Sequence, residues 1–350
     1  MSKKKLFSWA CDFSPFRGEG ILARSFASEL SLIKKIDINV KTPENSYLVK
    51  NGKIKKITKN HKKKINFGLF QNYYWPLHGI FYLWSFHLKK KKTMYLNFLP
   101  LWNFLLFYFL PPRIIIGPVT GFVPKKKIES FSNLIRIMLI PFFYKLSLIV
   151  MLRRFKSIIF STDLLKNIFL KNDYSKIHFN YLISSNLDTN KKIYNKKKID
   201  LLIYNRNYSV KEHHKLNNLI RYLLKKKYCV YCIGDNLPIK GLKNYNIINR
   251  TRVKDLLKTT KLVISSPENP YSLFTLDALN MGVKILFDIQ YKNKLNFIKY
   301  NPKQYINLDK QNYKEIENFI QNKKNKTLLN YKEINIIKKR ILKHFTNIVI

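Results

Sequence analysis

Short apolar runs, each closed by a Gly, Pro, Ser or Asn cluster, alternate along the chain with longer stretches whose apolar residues recur every three or four positions. In the first half this rhythm predicts strands at 6–12, 36–40, 53–58, 65–69, 93–98 and 114–116, with 36–40 and 53–58 as a small pair. Helices are predicted over 21–33 and 102–110. Between the first strand and helix lies Phe16-Arg17-Gly18-Glu19-Gly20. Its glycines either relieve a tight βα turn or let the backbone N–H groups of 18–21 approach a phosphate or sugar. The stretch Gln71-Asn72-Tyr73-Tyr74-Trp75-Pro76-Leu77-His78 reads as an aromatic, polar loop. Its rings serve either packing or sugar stacking, and His78 and His87 are the histidines placed nearest a cleft. The strand at 114–116 leads into Gly117-Pro118-Val119-Thr120-Gly121, which puts Thr120 at the ligand edge of a parallel sheet. The most apolar segment, 131–152, is interrupted by Arg136, Pro141 and Lys145 and followed by Arg153-Arg154. Cations in mid-membrane are costly, so an interfacial helix or a core helix is expected there in place of a span. A strand at 156–161 is followed by Thr162-Asp163 as a helix cap.

The Lys-rich stretch 191–198 reads as a linker, after which the βα rhythm restarts. Strands are predicted at 199–204, 228–233, 246–248, 262–264 and 283–287, with helices through 216–223, 253–257 and from Ser272 to Gly282. The last strand–helix–strand unit carries an acidic loop, Glu268-Asn269-Pro270, ahead of a helix N-terminus at 271–274. In an open parallel sheet, ligands bind where strands end and helices begin. Glu268 therefore serves either as a cap favoured by the helix dipole or as an acceptor for sugar hydroxyls. Arg206 at the end of the 199–204 strand and Lys211 five residues on form a fork and a point charge suited to a diphosphate. The pattern as a whole predicts an α/β chain of two Rossmann-like domains, 1–190 and 199–350, facing a central cleft.

Composition changes the picture in three places. At 350 residues and 46% hydrophobic content the chain can fill two cores. A net charge of +46 points to a polyanion or an acidic membrane face, although part of it accompanies a Lys-, Asn- and Ile-rich composition typical of AT-rich coding. Cys11, Cys229 and Cys232 lie in strand-like runs and read as free thiols of a reducing compartment. The Cys229–Cys232 spacing has no second pair with which to hold zinc. Lys3 to Lys5 are not followed by a long apolar core, so a cytoplasmic location is expected, peripheral on the inner face of the plasma membrane.

The second half resembles the donor-binding domain of the retaining GT-B glycosyltransferases, the family 4-like group that includes many lipopolysaccharide and capsule enzymes. The family's Arg-x4-Lys pair is matched by Arg206 and Lys211, and its strand ending in Gly-Asp by Gly234-Asp235. Its two acids, separated by seven intervening residues and followed by Ala and Gly, align with Asn269 and with Asp277, Ala278 and Gly282. The first acid of the pair is thus replaced by Asn269, with Glu268 one residue early. The resemblance implies that Arg206 and Lys211 neutralise the leaving diphosphate and that Asp277 contacts the ribose. The sugar contact falls either to Glu268, by a shift of the loop, or to Asn269 as a neutral hydrogen-bonding group. It further implies donor contacts at Gly18, Gly20, Gly234, Asp235, Tyr271, Ser272 and Leu273, and an acceptor side holding His78 and Thr120. The implied activity is transfer of a hexose from a nucleoside diphosphate donor to a glycan or glycolipid with retention, in surface polysaccharide synthesis. No cofactor or metal is expected, since protein cations replace it. The implied partners are the nucleotide-sugar, a glycan or lipid-linked acceptor and the inner membrane surface. The alternatives are a non-catalytic relative and a basic nucleic-acid-binding protein; lysines scattered over both halves, with no single recognition element, argue against the second.

Overall fold

The computed structural model describes residues 5–16, 18–59, 71–97, 99–121, 131–168, 175–187, 198–205, 214–246, 248–266, 269–307, 313–322 and 326–348. The chain divides into two units, the first made of Met1–Ser185 with Ile337–Ile350 and the second of Asn186–Ile336. The C-terminal stretch, expected with the second domain, thus belongs to the first.

In the first unit, β1 (Lys5–Trp9), α1 (Gly18–Ile33) and β2 (Asp37–Lys41) form a parallel βαβ unit. The expected pair of strands is a three-stranded meander, because β3 (Asn45–Lys50) lies between β2 and β4 (Lys53–Lys59). The turn joining them is Asn51-Gly52, both residues at positive φ (48° and 75°), the conformation that two-residue hairpin loops favour. α2 (Gln71–Leu88) replaces the expected aromatic loop. Its His78, Tyr82 and Phe86 recur every four residues and lie on Trp9 and Phe7 of β1, so period and packing together favour helix. β5 (Lys92–Tyr95), α3 (Phe104–Phe109) and β6 (Ile115–Ile116) complete a sheet of order β4-β3-β2-β1-β5-β6, parallel from β2 to β6. α4 (Phe131–Arg154) buries Ile140, Tyr144, Leu148 and Met151 in the core with Phe107 and Leu110. Among the described residues no helix is long and apolar enough to cross a membrane. Only Ile158–Ile159 of the strand expected at 156–161 forms (β7), paired with β8 (Ile177–His178). Asp163, expected as a cap, accepts a hydrogen bond from Asn180 Nδ2 at 2.9 Å. α5 (Tyr181–Asn186) closes the unit's continuous run.

The second unit contains β9 (Ile199–Asn205), α6 (His214–Lys225), β10 (Val230–Gly234), β11 (Lys243–Tyr245), α7 (Arg250–Lys258) and β12 (Thr260–Ile264). There follow α8 (Leu273–Asn280), β13 (Lys284–Asp288), β14 (Tyr305–Ile306), α9 (Tyr313–Gln321) and α10 (Tyr331–Asn347), which runs on into the first unit. The short strand expected at 246–248 forms three residues earlier, as β11. All six strands are parallel, in the order β11-β10-β9-β12-β13-β14. Counted from β9 this is the 3-2-1-4-5-6 order of a doubly wound sheet, whose direction of winding reverses between β9 and β12. The apolar face of α6, Leu216, Leu219, Ile220 and Leu223, covers Leu201, Ile203 and Val230. The predicted strand at 65–69 and the linker at 191–197 lie outside the described residues.

Candidate functional site

In the second unit the carboxyl ends of β9, β10 and β12 and the N-terminus of α8 converge by topology on one edge of the sheet. Asn205, the last residue of β9, is 2% exposed; its Nδ2 donates to the Asp235 carbonyl at 3.0 Å, and Asp235 N–H donates to the Asn205 carbonyl at 3.1 Å. Gly234 makes this stitch possible. At φ +100°, a Cβ there would fall on the Asn205 carbonyl oxygen, so no other residue lets the two strand ends approach. The Gly-Asp pair read from the sequence therefore sits at the end of β10, beside the residue that precedes Arg206. Arg206, Lys211 and Glu268 lie outside the described residues.

The loop into α8 is organised by its own side chains. Asn269 Oδ1 accepts the Tyr271 N–H at 2.9 Å, and Ser272 caps α8 by accepting the Thr275 N–H at 3.2 Å. Tyr271 is buried against Phe297, with ring centroids 5.2 Å apart, and Leu273 is half-buried at the first helical position. Ser265, immediately after β12, is 1% exposed, and its hydroxyl has no hydrogen-bond partner among the described residues.

Asp277, the residue expected to contact the ribose, is engaged by Arg250. It is 1% exposed, and both carboxylate oxygens are taken by Arg250, through Nε at 2.7 Å and Nη2 at 2.7 Å. Lys254 stands 3.7 Å away. Arg250 Nη2 also donates to Asn186 Oδ1 at 2.9 Å, and Asn280 Nδ2 reaches the Asn186 carbonyl at 2.5 Å. A forked, charge-assisted pair thus ties the start of α7 to the middle of α8. Sequence reading missed Arg250. The signal available to it was an Arg just after Asn249, a capping residue, in a chain whose Asp277 needs a buried partner.

In the first unit the corresponding edge lies after β1, β2 and β5. Asn97, 2% exposed, accepts the Cys11 N–H at 2.9 Å, while its own amide donates to the Asp12 carbonyl. Asp12 Oδ1 accepts the Ser14 N–H at 2.7 Å, and Arg24 donates to the Phe13 carbonyl at 3.1 Å. The loop before α1 is therefore fixed by three side chains. The two glycines behind it differ in role. Gly20 is buried, and a Cβ there would fall on the backbone of Ser14; Gly18 is exposed, with open space where a Cβ would stand. Gly20→Ala is accordingly expected to cost about 1–3 kcal/mol in denaturant unfolding, and Gly18→Ala less than about 0.5.

His78 is exposed on α2, its ring 5.0 Å from that of Trp9 at the end of β1. Partial burial and the nearby Lys41 charge hold its pKa below the usual histidine value. Thr120 lies elsewhere on this edge, its backbone bonded on both sides to the 99–101 strand extension (N–H to Leu99 at 3.0 Å, carbonyl from Leu101 at 2.8 Å). All three cysteines are free, and burial pushes Cys11 and Cys232 up to about 11. Among the described residues no three His, Cys, Asp or Glu side chains cluster as metal ligands.

No family model matches the chain, and no curated protein matches it. Solved structures do. Anabaena HepE, in complex with UDP and glucose, superposes with a TM-score of 0.53 at 12% identity, over 99% of this chain and 98% of that one. The UDP-GlcNAc 2-epimerase of Methanocaldococcus jannaschii, in complex with UDP-GlcNAc and UDP, gives 0.50 at 13% identity, over 98% of this chain and 100% of the other. The fold is GT-B. Two Rossmann-like domains carry it, each with a sheet whose parallel strands wind in both directions from a central strand. At these identities the likeness establishes architecture, and the chemistry has to be argued from this chain's own residues.

Proposed function

We propose that the protein is a glycosyltransferase that moves a hexose from a nucleoside diphosphate donor to a hydroxyl of a glycan or lipid-linked glycan, with retention, in surface polysaccharide synthesis. The observation that carries this reading is the second-unit sheet, where the Asn205–Gly234–Asp235 stitch and the capped N-terminus of α8 share one carboxyl edge with Arg206 next in the chain. Both GT-B structures reported above hold UDP, which supports a nucleotide at this edge. Arg206 and Lys211 supply the positive charge that a departing diphosphate requires, a term worth more in a closed site than in water. Among the described residues no carboxylate is identified as a covalent nucleophile, and front-face displacement assisted by the leaving phosphate is the proposed route. Asn269 spends its carbonyl on Tyr271, so its amide N–H groups are what it offers a sugar hydroxyl, beside Glu268 in the same loop. Asp277 acts through Arg250, which it holds at the head of α7, and not by touching the ribose. His78 and Thr120 belong to the acceptor side. Donor closure needs no divalent metal in this scheme.

Titration of the full chain with UDP, GDP and their sugars tests the reading. Saturable binding of one nucleotide is expected, weakened about 10- to 100-fold by Arg206→Ala, since a charged hydrogen bond contributes about 1.5–3 kcal/mol. Transfer or slow hydrolysis of the matching sugar should fall with it. If no nucleotide binds, or if Arg206→Ala binds as tightly as the parent, the reading is wrong. Salt-sensitive RNA binding in its place would assign the basic surface to nucleic acid.

A further inference from the structure

We propose that the outward face of α3 and α4 seats this protein on an anionic lipid surface. α4 has two faces. Its inner one, Tyr144, Leu148 and Met151, is buried in the first unit. Its outer one, Met138, Phe142, Lys145, Ile149 and Arg153, recurs at helical spacing, and the three apolar members are 68%, 60% and 48% exposed. A helix that merely shields a core turns polar residues outward. α3 lies alongside through the stacked rings of Phe104 and Phe143, 5.6 Å apart, and adds Tyr108 and Phe109, 57% and 50% exposed. Apolar surface shared by two adjacent helices marks an interaction site.

Charge decides which partner. Lys145 and Arg153 stand within the stripe itself, and the chain carries +46 overall. Long cationic side chains lay their stems along apolar surface and hold their charges at headgroup level, the arrangement of an in-plane helix. A second copy would bring the same two cations and the same net charge against them, which opposes self-association. An anionic leaflet complements both features of the face. This inference is independent of donor binding, which is measured separately, so either can fail alone.

The experiment is co-sedimentation of the full chain with phosphatidylcholine vesicles and with phosphatidylcholine–phosphatidylglycerol vesicles, at low and high salt. Binding to the anionic vesicles is expected, partly retained in high salt because apolar burial is not screened. Met138→Gln with Phe142→Gln should weaken it about tenfold or more at an unchanged melting temperature. Ile149→Gln, on the same stripe, is the second variant should the first fail to fold. Lipids brominated in their acyl chains should quench tryptophan emission, and Trp102→Phe, at the entry to α3 and 38% exposed in the parent, should lose part of that quenching. Absence of vesicle binding, equal binding by both variants, or binding without quenching would each overturn the proposal. So would a dimer in sedimentation velocity that the stripe variants dissolve while vesicles are ignored.

Discussion

Arg250→Met is expected to cost about 3–5 kcal/mol of stability, because it strands the Asp277 carboxylate in a place from which water is excluded. The opposite deletion should be milder. Arg250 keeps 25% of its side chain exposed, whereas Asp277 keeps 2%, so Asp277→Asn leaves a cation that can still reach solvent. A cost of about 1–2 kcal/mol is expected for Asp277→Asn, from lost charge-assisted bonds alone. Lys254, at 3.7 Å, moderates both values without replacing the fork. Arg250→Met combined with Asp277→Leu should recover much of the loss, since an apolar pair requires no partner. Urea unfolding of the four proteins gives this order directly. Equal losses from the two single variants would mean that the pair is not buried as a unit.

The second large effect is a loss of stability on mild acidification, governed by a buried cluster where the C-terminal stretch meets the first unit. His178 of β8 and His344 of α10 lie with ring centroids 5.4 Å apart, and neither Nε2 has a partner among the described residues. His344 Nδ1 is 2.8 Å from Ser157 Oγ. Burial, with Lys343 and Arg340 nearby, pushes His178 down to about 4; burial beside His178 pushes His344 down to about 3. On α1, burial pushes the Glu29 carboxyl up to about 7, opposed by Tyr181 and Lys338.

The two kinds of group act in opposite directions. Below pH 6.5 the unfolded histidines take up protons that the folded ones refuse, so each lowers stability by about 2 kcal/mol between pH 7 and pH 5. Glu29 is protonated in the folded chain up to about 7 and in the unfolded chain only near the ordinary glutamate value of 4.5, so it returns about 2 kcal/mol over the same interval. The cluster should therefore lose about 2 kcal/mol net on going from pH 7 to pH 5. Glu29→Gln should roughly double that acid loss, and His344→Phe should nearly abolish it. Denaturant unfolding at the two pH values, compared between variants so that distant groups cancel, reads these slopes. A Glu29→Gln protein less sensitive to acid than the parent would refute the scheme.

How much of this was legible beforehand depended on the range of the forces involved. Apolar runs closed by turn residues located β9, β10, β12 and β13 within a residue or two, because a strand buried on both faces must be apolar along its length. Asn51-Gly52 announced a hairpin that the predicted pairing of 36–40 with 53–58 passed over. The aromatic stretch from Gln71 was ambiguous, since Pro76 and its polar residues suit a loop as well as a helix until Trp9 and Phe7 offer a surface to lie on.

By itself the sequence determined the alternation of elements and the parallel strands at the centre of each sheet, which follow from local periodicity and chain connectivity. Tertiary structure alone decided that Asp277 belongs to Arg250, that Gly20 serves packing while Gly18 stays open, and that residues 337–350 return to the first unit beside His178. Those choices are made by groups distant in the chain whose charges and volumes must be satisfied in the same few cubic ångströms, and no pattern along the sequence records which of several candidates arrives there.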